Sequence, residues 1–350
     1  MTMIELRSDT FTLPTSAMMR AMNDAPLGDD VYGEDPTVRL LEERSADLLG
    51  KQAACLMPSG TMANLASILV HAPRGSKMLV GAESDIYIYE AAGATVCGGV
   101  MYERIPNQPD GRLLLSDLRA GFPDDPDDEQ FALPSLICLE NTQNRCGGVV
   151  LPQSYMKEVW EFAHQNDVAV HLDGARLFNA AVALGIPASE IAQYADSVQF
   201  CLSKGLGAPI GSMVAGSEDF ITEVRRVRKM LGGGMRQAGV IAAAGLVALD
   251  DLDRLKEDHA HARRLAEGLA AIDGIDTDPD AVQTNIVMFR VTDPRFTWQT
   301  FVEAAAYRGL SLAELGHGRL RAVTHNGVSA ADIDEALSIV RDVLTEDRTS

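Results

Sequence analysis

Phe200-Cys201-Leu202-Ser203-Lys204-Gly205-Leu206-Gly207-Ala208-Pro209 ends an apolar run (197–202) on a lysine set in a glycine-rich turn. The run has the length of a buried strand, and lysine is seldom drawn into such a place without a task. Lys204 lies 31 residues beyond Asp173, which closes another apolar run (168–172) and opens Gly174-Ala175-Arg176. Strand alternation puts Ala169, His171 and Asp173 on one face, with Asp173 at the carboxyl end. Working outward, further short apolar runs occur at 77–80, 98–102, 133–139 and 211–216, with helical stretches such as 60–71, 152–166 and 218–230 between them. Asp35-Pro36-Thr37 opens a helix that runs to Leu49, with Gly50 as its stop. Strands alternating with helices predict an α/β fold with a mainly parallel sheet covered on both faces.

The alanine-rich run 238–269 reads as one long helix leaving this unit. Beyond Gly274 the pattern becomes strand (284–291), helix (297–308), strand (320–324) and helix (330–344), which predicts a smaller C-terminal α+β domain. The expected division is an N-terminal arm (1–15), a large domain (16–245) and a small domain (246–350).

A length of 350 residues fits two domains with a sizeable core. The net charge of −20 disfavours phosphate backbones and anionic lipid, so neither a nucleic-acid nor a membrane partner is expected. The acidic run at 124–129 reads as a solvated loop. Five cysteines without a C-x-x-C pair, several in apolar runs, point to reduced thiols and a cytoplasmic protein. The first residues lack the basic-then-apolar pattern of a signal peptide, and no apolar stretch is long enough to span a bilayer.

Open α/β sheets bind ligands beyond the carboxyl ends of their strands. Three such places fit together. Pro58-Ser59-Gly60-Thr61 opens a helix whose free N–H groups suit a phosphate, with Gly60 allowing close approach and Thr61 adding a hydroxyl. Asp173 can pair with the protonated nitrogen of a pyridine cofactor and keep the ring an electron sink. Lys204, partly desolvated, can serve as a Schiff-base amine. Taken singly, the first is an ordinary helix cap, the second a structural cap and the third a surface turn.

In that order, a phosphate cradle, a strand-end aspartate and a strand-end lysine resemble the fold-type I enzymes that use pyridoxal 5′-phosphate (PLP). More specifically the chain resembles the low-specificity L-threonine aldolases, related to the aromatic amino acid β-eliminating lyases. The resemblance runs nearly end to end. It includes Leu6-Arg7-Ser8-Asp9-Thr10, Asp29-Asp30-Val31-Tyr32-Gly33-Glu34-Asp35-Pro36-Thr37, Pro58-Ser59-Gly60-Thr61-Met62 and Leu139-Glu140-Asn141-Thr142. It continues through Leu172-Asp173-Gly174-Ala175-Arg176, Cys201-Leu202-Ser203-Lys204-Gly205-Leu206, the stretch 228–237 and Arg321-Ala322-Val323-Thr324-His325.

The resemblance implies retro-aldol cleavage of a β-hydroxy-L-α-amino acid, threonine or allo-threonine in type, to glycine and an aldehyde. It implies Lys204 as the Schiff-base lysine and Asp173 as the partner of the ring nitrogen. Gly60 and Thr61 would hold the phosphate, joined by Lys229 or Arg236 from a neighbouring subunit. Ser8, Arg176 and Arg321 would grip the substrate carboxylate, and Tyr32 would line the site. A homotetramer with active sites between subunits follows from the same resemblance. A structural cation is compatible with it, but the sequence assigns no metal ligands.

Two positions depart from the family pattern. Where members carry a histidine against the cofactor ring, this chain has Asp85, and where a second histidine follows Glu-Asn-Thr it has Gln143. Both fall where the β-hydroxyl should be recognised. Histidine suits proton removal near neutrality; glutamine can bond a hydroxyl but cannot take its proton, whereas aspartate can. Asp85 also places negative charge near the substrate side chain, an arrangement expected to disfavour acidic substrates. The base is then a water or Asp85, and rival readings are an aldolase for a β-hydroxy amino acid other than threonine, a PLP-dependent β-eliminating lyase or dehydratase giving a 2-oxo acid, and a non-catalytic protein of the same fold. A nicotinamide dehydrogenase is a weaker rival, because no G-x-G-x-x-G closes the first strand. His171 is expected to be a packed neighbour of Asp173, not a base.

Overall fold

The computed structural model describes residues 3–345. In chain order the first part runs β1 (Ile4–Glu5), α1 (Ser16–Asp24), α2 (Pro36–Leu49), β2 (Ala53–Met57), α3 (Gly60–His71), β3 (Lys77–Gly81), α4 (Asp85–Ile88), β4 (Met101–Ile105), α5 (Leu115–Ala120) and β5 (Pro134–Glu140). There follow α6 (Gln153–His164), β6 (Ala169–Asp173), α7 (Leu177–Leu184), α8 (Ala188–Ala192), β7 (Ser197–Cys201), β8 (Ser212–Gly216), α9 (Glu218–Met230), α10 (Gly239–Asp250) and α11 (Leu255–Ala270). The last part is β9 (Ile275–Asp276), β10 (Ile286–Val291), α12 (Trp298–Tyr307), β11 (Leu310–Ser311), β12 (Ala313–Glu314), β13 (Leu320–Val323) and α13 (Ala330–Thr345).

The central sheet has seven strands in the order β2-β8-β7-β6-β5-β3-β4. Pairing is parallel from β7 through β6, β5 and β3 to β4, and only β8 runs against its two neighbours. All residues of β7 and β8 are buried, the expected state for strands covered on both faces. After β3 the chain steps out to edge strand β4, then crosses back to β5 and proceeds to β6 and β7. That reversal opens a crevice between the carboxyl ends of β3 and β5. A four-stranded antiparallel sheet, β12-β13-β10-β9, forms the core of the C-terminal part with α11, α12 and α13. The N-terminal arm joins this second core: Ile4 and Leu6 are buried in it, and β1 pairs with β11.

Several sequence readings hold in detail. Asp35 caps α2 by accepting from the amides of Thr37 and Val38, and Gly50 ends that helix in a left-handed conformation. Others need correction. The run 238–269 is not one helix; it breaks at Asp251 into α10 and α11, where Asp250-Asp251-Leu252-Asp253 favours a turn over continued helix. The strand expected at 98–102 starts at Met101, because residues Ala94–Gly98 coil into a wide helical turn. Strand β2 and the antiparallel direction of β8 were not foreseen.

Candidate active site

The crevice is built from five chain segments that end or begin at the same rim of the large sheet. The cavity there measures about 340 Å³ and is lined by Gly60, Thr61, Asp85, Glu90, Asp173 and Lys204 among others. At one wall, α3 begins. The Ser59 side chain caps it by accepting from the Met62 amide at 3.2 Å. The amides of Gly60 and Thr61, on the first turn, find no protein acceptor among the described residues, so they remain available to an anion. A Cβ on Gly60 would come within 2.9 Å of Cys201 Sγ, so glycine is what lets this helix end sit against the end of β7.

On the floor, Asp173 is buried and receives three donors. Gln199 Nε2 donates to Oδ1 at 2.5 Å, the Ala175 amide to Oδ1 at 3.0 Å, and Asn64 Nδ2 to Oδ2 at 2.8 Å. Burial raises its pKa above the usual carboxylate range. Behind it His171 is buried between Asn64 and Ser197, and burial lowers its pKa to about 3, so it is a neutral packed neighbour. Lys204 is half-buried after β7. Burial disfavours its ammonium, but Cys201 and the carboxylates of Asp85 and Asp173 outweigh this and leave the pKa raised.

Two arginines stand farther along the crevice. Arg176, just past β6, makes a bidentate pair with Asp9: Nε to Oδ2 at 2.8 Å and Nη2 to Oδ1 at 2.7 Å. Both side chains are buried. Burial opposes the Asp9 carboxylate, but Arg176 holds it well below the usual range. Ser8, the residue before, caps the short turn 9–11 through the Thr10 amide. Arg321, on β13, has no carboxylate partner among the described residues. Its Nη1 donates to Asn144 Oδ1 at 2.6 Å and its Nη2 to the Arg7 carbonyl at 2.9 Å, while Nε is buried without a partner. Burial, and then the nearby Arg176, pull its pKa down to about 10.

Asp85, the first residue of α4, is fixed by the loop after β5. Its amide donates to Glu140 Oε2 at 2.8 Å, and its carboxylate accepts from Asn144 Nδ2 at 3.0 and 3.3 Å. Glu140 also receives the Asn144 amide at 2.9 Å. One asparagine side chain therefore joins Arg321 to Asp85.

The sequence-derived residues divide accordingly. Gly60, Thr61, Asp85, Asp173 and Lys204 line one cavity. Arg176 keeps only Nη1 without a protein acceptor, since Asp9 takes the other two nitrogens. Gln143 does not line the cavity: its Nε2 donates to the Glu83 carbonyl at 2.7 Å and its Oε1 accepts from the Cys146 amide at 2.7 Å, so both ends of the amide hold backbone. Tyr32, Lys229 and Arg236 do not line it within one chain either. Tyr32 is 75% exposed. Arg236 lies over its ring at 6.0 Å, and Lys229 shares a separate groove with it. Sequence reasoning missed Asp9, Asn64, Glu90 and Asn144. Asp9 and Asn144 stood inside or beside the quoted motifs; Asn64 and Glu90 carried no signal beyond nearness to Gly60 and Asp85.

Comparisons with known proteins identify the family. Residues 5–292 match the family model described as β-eliminating lyase. The low-specificity L-threonine aldolase of Escherichia coli K12 is 50% identical over 268 residues, 76% of this chain and 79% of the relative. Low-specificity L-threonine aldolase 1 of Arabidopsis thaliana is 44% identical over 338 residues, 96% of this chain and 94% of the relative. Among solved structures, the threonine aldolase of Leishmania major superposes with a TM-score of 0.79 at 19% identity, covering 97% of this chain and 99% of that one, a likeness of fold. The strand-end aspartate and lysine thus sit in a chain that belongs to the β-eliminating lyase family and, within it, to the low-specificity L-threonine aldolases.

Proposed function

We propose that this protein binds PLP in the crevice and cleaves the Cα–Cβ bond of a β-hydroxy-L-α-amino acid, threonine or allo-threonine in size, to glycine and an aldehyde. PLP is the cofactor of the family, and the residues present fit it. The unpartnered amides of Gly60 and Thr61 suit its phosphate, the thrice-bonded Asp173 suits its protonated ring nitrogen, and Lys204 is the amine for its aldehyde carbon. When bound, the cofactor supplies an electron sink for the pair left at Cα.

The observation that carries the reading is Arg321, a buried guanidinium with no carboxylate of its own, tied through Asn144 to Asp85. A substrate carboxylate beside this guanidinium supplies the missing counter-ion. Ser8 and the remaining Nη1 of Arg176 are the further groups for that carboxylate. The substrate is thereby oriented with its β-hydroxyl toward Asp85, which takes the hydroxyl proton as the bond breaks. Gln143 cannot take that proton, and its amide is already committed to backbone.

Tyr32, Lys229 and Arg236 act on a second copy of the chain, in a homotetramer with sites between subunits; the groove that Tyr32 and Lys229 line, with Arg236 over the Tyr32 ring, supports this. A cytoplasmic setting without nucleic-acid or membrane partners is supported by five unpaired cysteines and the acidic charge. Among the described residues no helix is long and apolar enough to cross a membrane.

The test is product analysis by proton NMR on PLP-loaded protein given threonine, allo-threonine, phenylserine, 3-hydroxyaspartate and a cationic analogue. Glycine plus aldehyde is expected; a 2-oxo acid without glycine would assign β-elimination instead. Asp85→Asn should lower kcat by about 10²–10⁴-fold, the usual range for a general base. Asp85→Ala should raise the relative rate for 3-hydroxyaspartate, and an unchanged ranking would remove Asp85 from specificity.

A further inference from the structure

A run of hydrogen bonds crosses the large sheet behind Asp173 and fixes one donor direction after another. His71 Nε2 meets Ser197 Oγ at 2.8 Å, Ser197 Oγ meets His171 Nδ1 at 2.8 Å, and His171 Nε2 meets Asn64 Oδ1 at 3.0 Å. Asn64 Nδ2 must donate, because it faces two carboxylates: Asp173 Oδ2 at 2.8 Å and Glu90 Oε1 at 2.9 Å. Its Oδ1 is then the acceptor. The neutral His171 consequently carries its proton on Nε2, Ser197 donates to Nδ1, and His71 donates to Ser197.

Two carboxylates sharing one amide nitrogen in a half-dry cavity do not both ionise easily. Their surroundings are unequal. Asp173 receives three donors, from Gln199, Ala175 and Asn64, whereas Glu90 receives one. Donors to a carboxylate favour its charged form, so the single negative charge belongs on Asp173. Glu90 Oε1 is occupied as an acceptor, which leaves Oε2 for a proton. The backbone holds Glu90 in place at a cost, since Ala91 and Ala92 directly after it adopt φ of 53° and 56°, a left-handed conformation that alanine avoids.

We propose that Glu90, which lines the cavity, is a positioning residue kept as a neutral carboxylic acid beside Asp173, its proton on Oε2, with Asn64 allotting the charge of the pair to Asp173. The inference rests on the PLP reading above for its consequence: an uncharged Glu90 leaves Asp173 as the one anion that pairs with the ring nitrogen. The charged or titratable groups facing Glu90 are Asp173 from β6, Asp85 from α4, Lys204 after β7, Tyr102 from β4 and Cys138 from β5. Burial, and then Asp173, push the Glu90 carboxyl up to about 8, with Lys204 and the Asn64 bond acting weakly the other way. The acid is therefore neutral at pH 7 and gains charge as the pH rises through about 8.

The experiment uses PLP-loaded protein with ¹³C-labelled glutamate carboxyls, wild type beside Glu90→Gln, and Glu90→Ala to confirm the assignment. One wild-type resonance, missing from both variants, should titrate near pH 8. Equilibrium dialysis should give Glu90→Gln a PLP dissociation constant within about threefold of wild type at pH 7. The wild-type absorption spectrum of the bound cofactor should change between pH 7 and 9 by a component that Glu90→Gln lacks. A Glu90 resonance titrating in the ordinary glutamate range, or a loss of PLP affinity beyond about tenfold in Glu90→Gln, would overturn the proposal. Failure of wild-type protein to bind PLP at all would instead sink the cofactor reading, while the carboxyl titration of the unloaded protein still reports on Glu90.

Discussion

The two ends of the crevice hold buried arginines in opposite circumstances. At the β6 end, Arg176 is paired with Asp9 by two short bonds, both side chains are buried, and only Nη1 is left over. At the β13 end, Arg321 is as deeply placed but meets only an amide oxygen and a backbone carbonyl, with one nitrogen left over. A buried cation with its own counter-ion holds the framework first, whatever its spare nitrogen can add. A buried cation without one leaves the folded chain to bear its desolvation cost uncompensated by an ion pair.

The comparison breaks most visibly if Asp9 is removed. Asp9→Ala strands the Arg176 charge and should lower stability by about 3–5 kcal/mol in urea unfolding, whereas Arg321→Ala should leave stability unchanged or raise it. Equal losses would mean that both arginines are structural. The second effect is catalytic. Arg321→Ala should cut kcat/KM by roughly 10–150-fold, matching about 1.5–3 kcal/mol for a charged hydrogen bond to the substrate carboxylate. Next, Asn144→Ala should lower kcat by about tenfold with a smaller change in KM, because Asp85 loses its tether and Arg321 loses a partner. Gln143→Ala should change kcat less than Asn144→Ala does; the reverse order would return Gln143 to the reaction. The smallest effect is in acid. The Asp9 carboxyl is held below its unfolded pKa of about 3.8, so its contribution is complete above that value and fades as the pH falls below it. Asp9→Asn should lower the plateau and flatten that acid limb of stability, while Arg321→Ala should leave the limb in place.

This contrast between the arginines was not legible in the sequence, although much else was. Asp173 and Lys204 announce themselves because a charged residue ends an apolar run, and strand alternation then fixes where it points. The cap at Asp35 and the stop at Gly50 are equally local. The arginine partners are not: Asp9 lies 167 residues from Arg176, and Asn144 lies 177 residues from Arg321. Periodicity carries no information over such distances. Gln143 and Asn144 are neighbours, and only the turn after β5 decides that the second faces Asp85 while the first bonds backbone. The reversed strand β8 escaped for a similar reason, since an apolar run has no direction until its partners are known.

The N-terminal arm has a consequence for the order in which the enzyme becomes competent. The Leu6 carbonyl accepts from the Val323 amide, the Arg7 carbonyl accepts from Arg321, and His325 meets the Glu5 carbonyl, so early and late parts of the chain clasp one another. The residues lining the cofactor cavity, by contrast, all lie between Pro58 and Gly211. During synthesis Asp9 can meet Arg176 early, but the backbone contacts of Glu5, Leu6 and Arg7 must wait until β13 has emerged, long after the segments lining the cavity are made. Refolding in the presence of PLP should accordingly show the absorption of bound cofactor first and its response to glycine later, the interval being the time the two ends of the chain need to find each other.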